Sequence, residues 1–225
     1  MPGNLFKSTN SGGSWSPKLL AVTVNTLLID PDNPNIVYAG CGHSDGTEVP
    51  LYKSTDGGST WRKSYAGMPG EPVRYGIWGS SANDLFVLKH TGSVPKGGED
   101  DKAILRFNGR IWRDVNIGVS APLYGIWGKN ESDVFAVGEA GTIMHYNGLG
   151  WSAMSSGTEV DLFGVAGSAL GSVYAVGRSG TILRYAKGAW TPVDSGTYKD
   201  LNAVWSTSDG AHVVTAGAYG TIVHT

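Results

Sequence analysis

The chain has 225 residues, a formal net charge of −2 and only 16% charged residues, against about 25% in an average soluble domain. Thirty-four glycines and ten prolines, with eight tryptophans and ten tyrosines, are the composition of short strands and tight turns. They argue against a helical bundle, a coiled coil and a charge-rich disordered chain. No apolar run approaches the ~18 residues of a membrane-spanning helix, and near-neutral charge leaves no electrostatic footprint for nucleic acid. The single cysteine, Cys41, excludes an intrachain disulfide and a cysteine-based metal cluster.

In chain order, Leu5-Phe6-Lys7-Ser8 reads as a strand leading into the turn Ser8-Thr9-Asn10-Ser11-Gly12-Gly13-Ser14-Trp15. Leu27-Leu28-Ile29 and Ile36-Val37-Tyr38-Ala39-Gly40 supply two further strands. The turn then returns in fuller form as Ser54-Thr55-Asp56-Gly57-Gly58-Ser59-Thr60-Trp61. Its logic is a β-turn between the third and fourth strands of one sheet. Asp56 accepts hydrogen bonds from the amides ahead, the glycines permit positive φ, and Trp61 packs beneath. Asn10 and Trp15 are expected to play the same parts in the earlier copy.

From Tyr75 onward a second pattern repeats. Tyr75-Gly76-Ile77-Trp78-Gly79 matches Tyr124-Gly125-Ile126-Trp127-Gly128, with an insertion between Thr91 and Lys102. Val134-Phe135-Ala136-Val137-Gly138 matches Val173-Tyr174-Ala175-Val176-Gly177. Gly141-Thr142-Ile143-Met144 matches Gly180-Thr181-Ile182-Leu183, and Trp151 matches Trp190. A further copy opens at Leu201 and stops after Gly220-Thr221-Ile222-Val223. Four short apolar segments per unit of roughly 40 residues is the pattern of a propeller blade. The chain therefore reads as all-β, a single β-propeller over 1–225 with five four-stranded blades. These are 22–70, 71–120, 121–158, 159–197, and a closing blade of 198–225 completed by 1–21, so that the termini share it and no sheet edge is left open. A monomer is expected ahead of an oligomer.

Ser54 to Trp61 resembles the Asp-box, or BNR repeat, of sialidases, sortilin-type receptors, some glycoside hydrolases and the photosystem II assembly factor. The later units resemble the Gly-Ile-Trp-Gly and Ala-Val-Gly repeats of bacterial Asp-box-related propellers. The resemblance implies the propeller fold, a structural role for Asn10, Trp15, Asp56, Gly58 and Trp61, and an exported location, although no signal segment opens the chain. It carries no single activity, since propellers of this kind do unrelated work. The sialidase pattern itself is missing: no Arg-Ile-Pro precedes the box, and the arginines are scattered.

Chemistry-bearing patterns are sparse. The five histidines, His43, His90, His145, His212 and His224, show no metal spacing, and the nearest approach to a ligand set is His43 with Asp45 and Glu48. No nucleophile elbow or phosphate loop is present. Loop carboxylates such as Asp45, Glu48, Glu71, Glu139, Glu159 and Asp161 read as solvated. The columns shared between repeats are Gly, Val, Ile, Ala and Trp, whereas the turn after the second strand varies: Glu139-Ala140, Arg178-Ser179, Ala218-Tyr219. Trp78, Trp127 and Trp205 are expected to pack on innermost strands. Cys41 is expected to act as a small apolar group.

The expectation is a non-catalytic binding propeller with no catalytic residue, no cofactor and no metal. Its site would be a loop face carrying His43, Asp45, Glu48, Arg74, Lys89, His90, Glu139, Arg178 and Tyr219, and its partner a protein or a carbohydrate. The alternative is a lectin-like or glycoside-hydrolase-like propeller using Asp45 or Glu48 with Glu139.

Overall fold

The computed structural model describes residues 5–19, 23–42, 51–64, 73–89, 104–119, 121–168 and 171–224. They form twenty-one strands and three single-turn 3-10 segments. β1 (Leu5–Lys7) and β2 (Ser16–Leu19) make a two-stranded sheet of their own. Four sheets have four antiparallel strands in sequential order. The first is β3 (Thr23–Ile29), β4 (Val37–Gly42), β5 (Leu51–Ser54) and β6 (Arg62–Lys63), and the second β7 (Val73–Ser81), β8 (Asp84–Lys89), β9 (Ile104–Phe107) and β10 (Trp112–Val115). The third is β11 (Leu123–Asn130), β12 (Asp133–Gly138), β13 (Ile143–Tyr146) and β14 (Trp151–Met154), and the fourth β15 (Leu162–Gly167), β16 (Val173–Gly177), β17 (Ile182–Ala186) and β18 (Ala189–Val193). The last sheet has three: β19 (Leu201–Ser206), β20 (Val213–Gly217) and β21 (Ile222–His224). The fold is all-β, a β-propeller of five blades, the fifth being β19–β21.

The chain divides into two compact units. One comprises Met1–Pro95 and Ile104–Val115, the other Lys96–Ala103 and Asn116–Thr225. In the second unit β12 is an unbroken apolar run from Val134 to Val137, and β16 is covered on both faces, by the sheet before it and by the sheet after it. Val134, Phe135, Ala136 and Val137 are all buried. Phe135, Val137 and Ile143 of one sheet pack against Leu162, Val165, Val173, Ala175, Leu183 and Trp190 of the next. Burying a side chain of this size stabilises by roughly 1.5–3 kcal/mol, which a lone four-stranded sheet could not obtain. The same logic holds in the first unit, where Tyr38 and Leu51 pack against Ile77, Leu85, Val87, Leu105 and Trp112.

Two expectations about side chains come out differently. Trp127 packs against the next sheet so closely that a Cβ at Gly167 would lie 2.6 Å from its ring. Trp205, its repeat equivalent, is 59% exposed. The column marks a tryptophan that leans on the following sheet, and among the described residues of this unit no sheet follows β19–β21. Cys41 behaves as expected: it is fully buried beside Ala39, and burial pushes its thiol up to about 12.

Candidate functional site

In three blades of the second unit the chain makes the same tight turn after the second strand: Glu139–Gly141, Arg178–Gly180 and Ala218–Gly220. The glycine before each turn is required by space. A Cβ at Gly177 would lie 2.0 Å from the carbonyl oxygen of Asp161, and one at Gly217 2.0 Å from that of Asp200. The middle residue of each turn is left-handed without being glycine: Ala140 at φ 50°, Ser179 at 55° and Tyr219 at 59°. Such backbone costs on the order of 1 kcal/mol or more and persists only where surroundings impose it. Here the amides of Thr142, Thr181 and Thr221 close the turns onto the carbonyls of Glu139, Arg178 and Ala218, at 3.0, 3.1 and 3.2 Å.

Two aspartates tie these turns together. Asp161 Oδ1 accepts the Ala140 amide at 3.0 Å, its backbone carbonyl accepts the Arg178 amide at 2.9 Å, and its Oδ2 meets the Arg178 guanidinium at 2.9 Å. Asp200 repeats the arrangement: Oδ1 accepts the Ser179 amide at 2.9 Å and its carbonyl accepts the Ala218 amide at 2.8 Å. Each aspartate thus joins the turn of its own blade to the turn of the blade before. Tyr198 and Lys199, which precede Asp200, are thereby held beside the turn carrying Tyr219. Lys199 Nζ sits 4.9 Å above the Tyr219 ring. Tyr198 and Tyr219 are 93% and 91% exposed.

Of the residues expected at a binding face, Glu139, Arg178 and Tyr219 occupy these equivalent turns. Arg178 is engaged by Asp161 and not free. Arg74 lies in β7 and Lys89 in β8. His43, Asp45, Glu48 and His90 lie outside the described residues. Asp161 corrects the reading of loop carboxylates as solvated, since its side chain is only 17% exposed and fully engaged. Asp200, Tyr198 and Lys199 were not singled out from the sequence. A positional signal was present, since Asp161 and Asp200 stand one 39-residue repeat apart, but the spacing alone does not say which amides they reach.

The Ser54–Trp61 turn is built as its sequence implies and joins the third strand, β5, to the fourth, β6. Asp56 Oδ1 accepts the amides of Ser59 and Thr60 at 2.9 and 2.8 Å, and Oδ2 accepts the Thr60 hydroxyl at 2.6 Å. The Ser54 hydroxyl accepts the Gly58 amide and donates to Asp56, both at 2.8 Å. These donors, the Thr60 hydroxyl first, hold the Asp56 carboxyl well below the usual carboxylate range. Gly58 has φ +82°, and the indole N–H of the half-buried Trp61 donates to its carbonyl at 3.1 Å. In the earlier copy Asn10 accepts the Ser14 amide at 2.8 Å, but Trp15 is 63% exposed and does not seal its turn.

Elsewhere, an open groove of about 480 Å³ runs past His145, Ser152, Met154 and Trp190. Among the described residues there is no group of three or more His, Cys, Asp or Glu positioned around a common point. The described helical segments contain none long and apolar enough to cross a membrane.

No protein-family model matches the chain, and no curated protein matches it. Solved structures do. YCF48 from Cyanidioschyzon merolae superimposes with a TM-score of 0.63 at 14% identity, covering 91% of this chain and 66% of that one. YCF48 bound to D1 peptide gives 0.62 at 17% identity, covering 91% and 63%. The GH74 enzyme of Niastella koreensis gives 0.69 at 15% identity, covering 95% and 37%. At these identities the likeness is one of fold, and the chain spans less than two thirds of the length of each of these structures. One neighbour is seen with a bound peptide and another is an enzyme. The propeller fold therefore accommodates a binding role without deciding between binding and catalysis.

Proposed function

We propose that this chain is a protein-binding propeller. Its contact surface would be the ridge that Asp161 and Asp200 assemble from the Glu139, Arg178 and Tyr219 turns and the Tyr198–Lys199 segment. The observation that carries this reading is the pair of almost fully exposed tyrosines on a backbone held by hydrogen bonds. Tyrosine presents a large amphipathic surface with little side-chain entropy to lose, which is why it is enriched where proteins meet. A rigid ridge of unlike side chains, Glu139, Arg178, Lys199 and Tyr219, fits one asymmetric contact better than several equivalent sugar sites. The peptide-bound neighbour supports a protein partner over a carbohydrate. In this reading Ser54 to Trp61 is an Asp-box turn serving the fold alone.

The test is a peptide array and a glycan array probed with the same labelled protein and with a Tyr198→Ala/Tyr219→Ala variant. Peptide binding that falls at least tenfold in the variant supports the reading. Glycan binding with no peptide binding, lost in the same variant, replaces it with the lectin-like alternative. Peptide binding indifferent to both tyrosines moves the site off this ridge.

A further inference from the structure

One polar pair recurs in the three blades from β7 to β18. It joins the residue at the start of the second strand to a residue of the third strand that lies opposite the position two further on. In β7–β10 the pair is Asp84 and Arg106, 2.9 Å apart, with Arg106 opposite Phe86. In β11–β14 it is Asp133 and His145 at 2.8 Å, with His145 opposite Phe135. In β15–β18 it is Ser172 and Arg184 at 3.2 Å, with Arg184 opposite Tyr174. Each of these sets a basic side chain against an oxygen acceptor and ties the hairpin, and in the first two the basic group lies over the ring opposite it, Arg106 4.8 Å above Phe86 and His145 stacked on Phe135 at 4.4 Å.

The last blade breaks the column. Here the pair is His212 and His224, with His224 opposite Val214. Nδ1 of one ring faces Nε2 of the other at 3.2 Å, and the rings stack with centroids 5.3 Å apart at 26°. Both residues are exposed. A basic side chain and its oxygen acceptor have become two imidazoles with facing nitrogens, and the residue opposite His224 is aliphatic where the three preceding blades have an aromatic.

We propose that His212 and His224 chelate a divalent late first-row transition metal ion, Cu²⁺ more tightly than Ni²⁺ or Zn²⁺. Three features favour this. Imidazole nitrogen bonds such ions at about 2.0–2.1 Å, so two bonds meeting at about 100° separate their nitrogens by about 3.1–3.2 Å, the spacing already present. Imidazole is the ligand type that suits Cu, Ni and Zn, and the Irving–Williams order sets their ranking. The Asp209 carboxylate, which accepts the Thr207 hydroxyl and the Ala211 amide in the turn leading to His212, contributes negative charge nearby.

In the metal-free pair one facing nitrogen carries a proton and donates it to the other. On binding, that proton leaves the facing nitrogen while the far nitrogen of the same ring takes one up. Both lone pairs then point at the ion and neither ring changes charge. With no third His, Cys, Asp or Glu completing a set among the described residues, water fills the remaining positions, and the site is an open, exchangeable one.

The test is isothermal titration of the whole chain with CuCl₂ and with NiCl₂, backed by electron paramagnetic resonance of the Cu²⁺ form. The variants are His212→Ser, His224→Ser, the double variant, and His145→Ser as a histidine control. His212→Ser places a hydroxyl where the preceding blade has Ser172, so the hairpin keeps a polar residue, and circular dichroism checks the fold. The expected result is one tightest site per chain that weakens at least tenfold in either single variant, is unaffected by His145→Ser, and shows two equatorial nitrogens. Binding no tighter than in the double variant overturns the proposal. So does a tightest site that survives either single substitution.

Discussion

The two units solve one problem with the same chemical group used over different distances. In the first, Asp56 satisfies the amides of Ser59 and Thr60 three and four residues ahead, so its carboxylate closes a single hairpin. In the second, Asp161 and Asp200 satisfy the amides of Ala140 and Ser179, each 21 residues back in the preceding blade. A local carboxylate organises a turn that any solvated hairpin could use. A distant one registers one sheet against its neighbour, and by doing so builds the exposed ridge that carries Tyr198 and Tyr219. The difference teaches that these three aspartates divide by reach: Asp161 and Asp200 matter for the surface, Asp56 for the strand connection alone.

The largest effect is expected where the inter-blade junction has no room at all. Gly177→Ala puts a Cβ 2.0 Å from a backbone oxygen, so strand and loop must separate. The cost is at or above the upper end of the ~1–3 kcal/mol typical of overpacking, a fall in Tm of about 6–12 °C. Gly58→Ala forces an L-residue into left-handed backbone, about 1–2 kcal/mol, in the local turn. If thermal unfolding shows Gly58→Ala to be the more damaging, the distinction by reach is wrong.

Next come the carboxylates themselves. Asp200→Ala removes the acceptor of the Ser179 amide and should cost about 1 kcal/mol. It should also raise amide hydrogen exchange at Ser179 and in the Ala218–Gly220 turn, two blades registering one change. Asp161→Asn, which keeps an acceptor for Ala140 and weakens only the half-exposed Arg178 pair, should cost less than half as much. Asp56→Ala should lower Tm by about 2–4 °C and raise exchange only at Ser59 and Thr60. Its carboxyl ionises more readily folded than unfolded. Its stabilisation is therefore fully present above the unfolded carboxylate value near pH 4 and lost as pH falls through the lower folded value. The Tm difference between wild type and Asp56→Ala should be flat from pH 8 to 5 and shrink in stronger acid. A difference that widens on acidification contradicts the assignment.

Much of this was readable in the sequence because repeat and turn chemistry are local. Four apolar segments per unit, a Trp at or beside the start of the fourth strand in four blades and Asp56 facing its own amides need no knowledge of neighbours. Cys41 after Val37-Tyr38-Ala39 likewise reads as core. The reach of Asp161 and Asp200 was not readable, because a carboxylate 21 residues from its donor has no local signature until the blades are stacked. Trp205 failed for the converse reason. Its column says that it leans on the next sheet, but whether a sheet is there is a property of the assembly and not of the repeat. The left-handed Ala140, Ser179 and Tyr219 were hidden by the glycine that follows each of them, which drew the expectation of positive φ to itself.

The smallest effect sharpens the local half of the comparison. The Asn10 turn and the Asp56 turn share a serine two residues before the acceptor and a left-handed residue ahead, yet only one has a carboxylate and only one has its tryptophan seated. In the Asn10 turn the amide oxygen accepts the Ser14 N–H and the Ser8 hydroxyl, while the amide nitrogen donates to Ser14 Oγ at 2.9 Å. Asn10→Asp gives up that last bond, but the Ser14 hydroxyl can reverse and donate to the new carboxylate, as the Thr60 hydroxyl does to Asp56. Charge-assisted bonds are the stronger, so the variant should be more stable by a few tenths of a kcal/mol at pH 7 and lose that gain in acid. If the carboxylate alone organises such a turn, Trp15 fluorescence should stay that of an exposed indole. A blue shift on Asn10→Asp would mean instead that the acceptor's charge also seats the tryptophan, and that Trp61 owes its half-buried position to Asp56 rather than to the sheet beneath it.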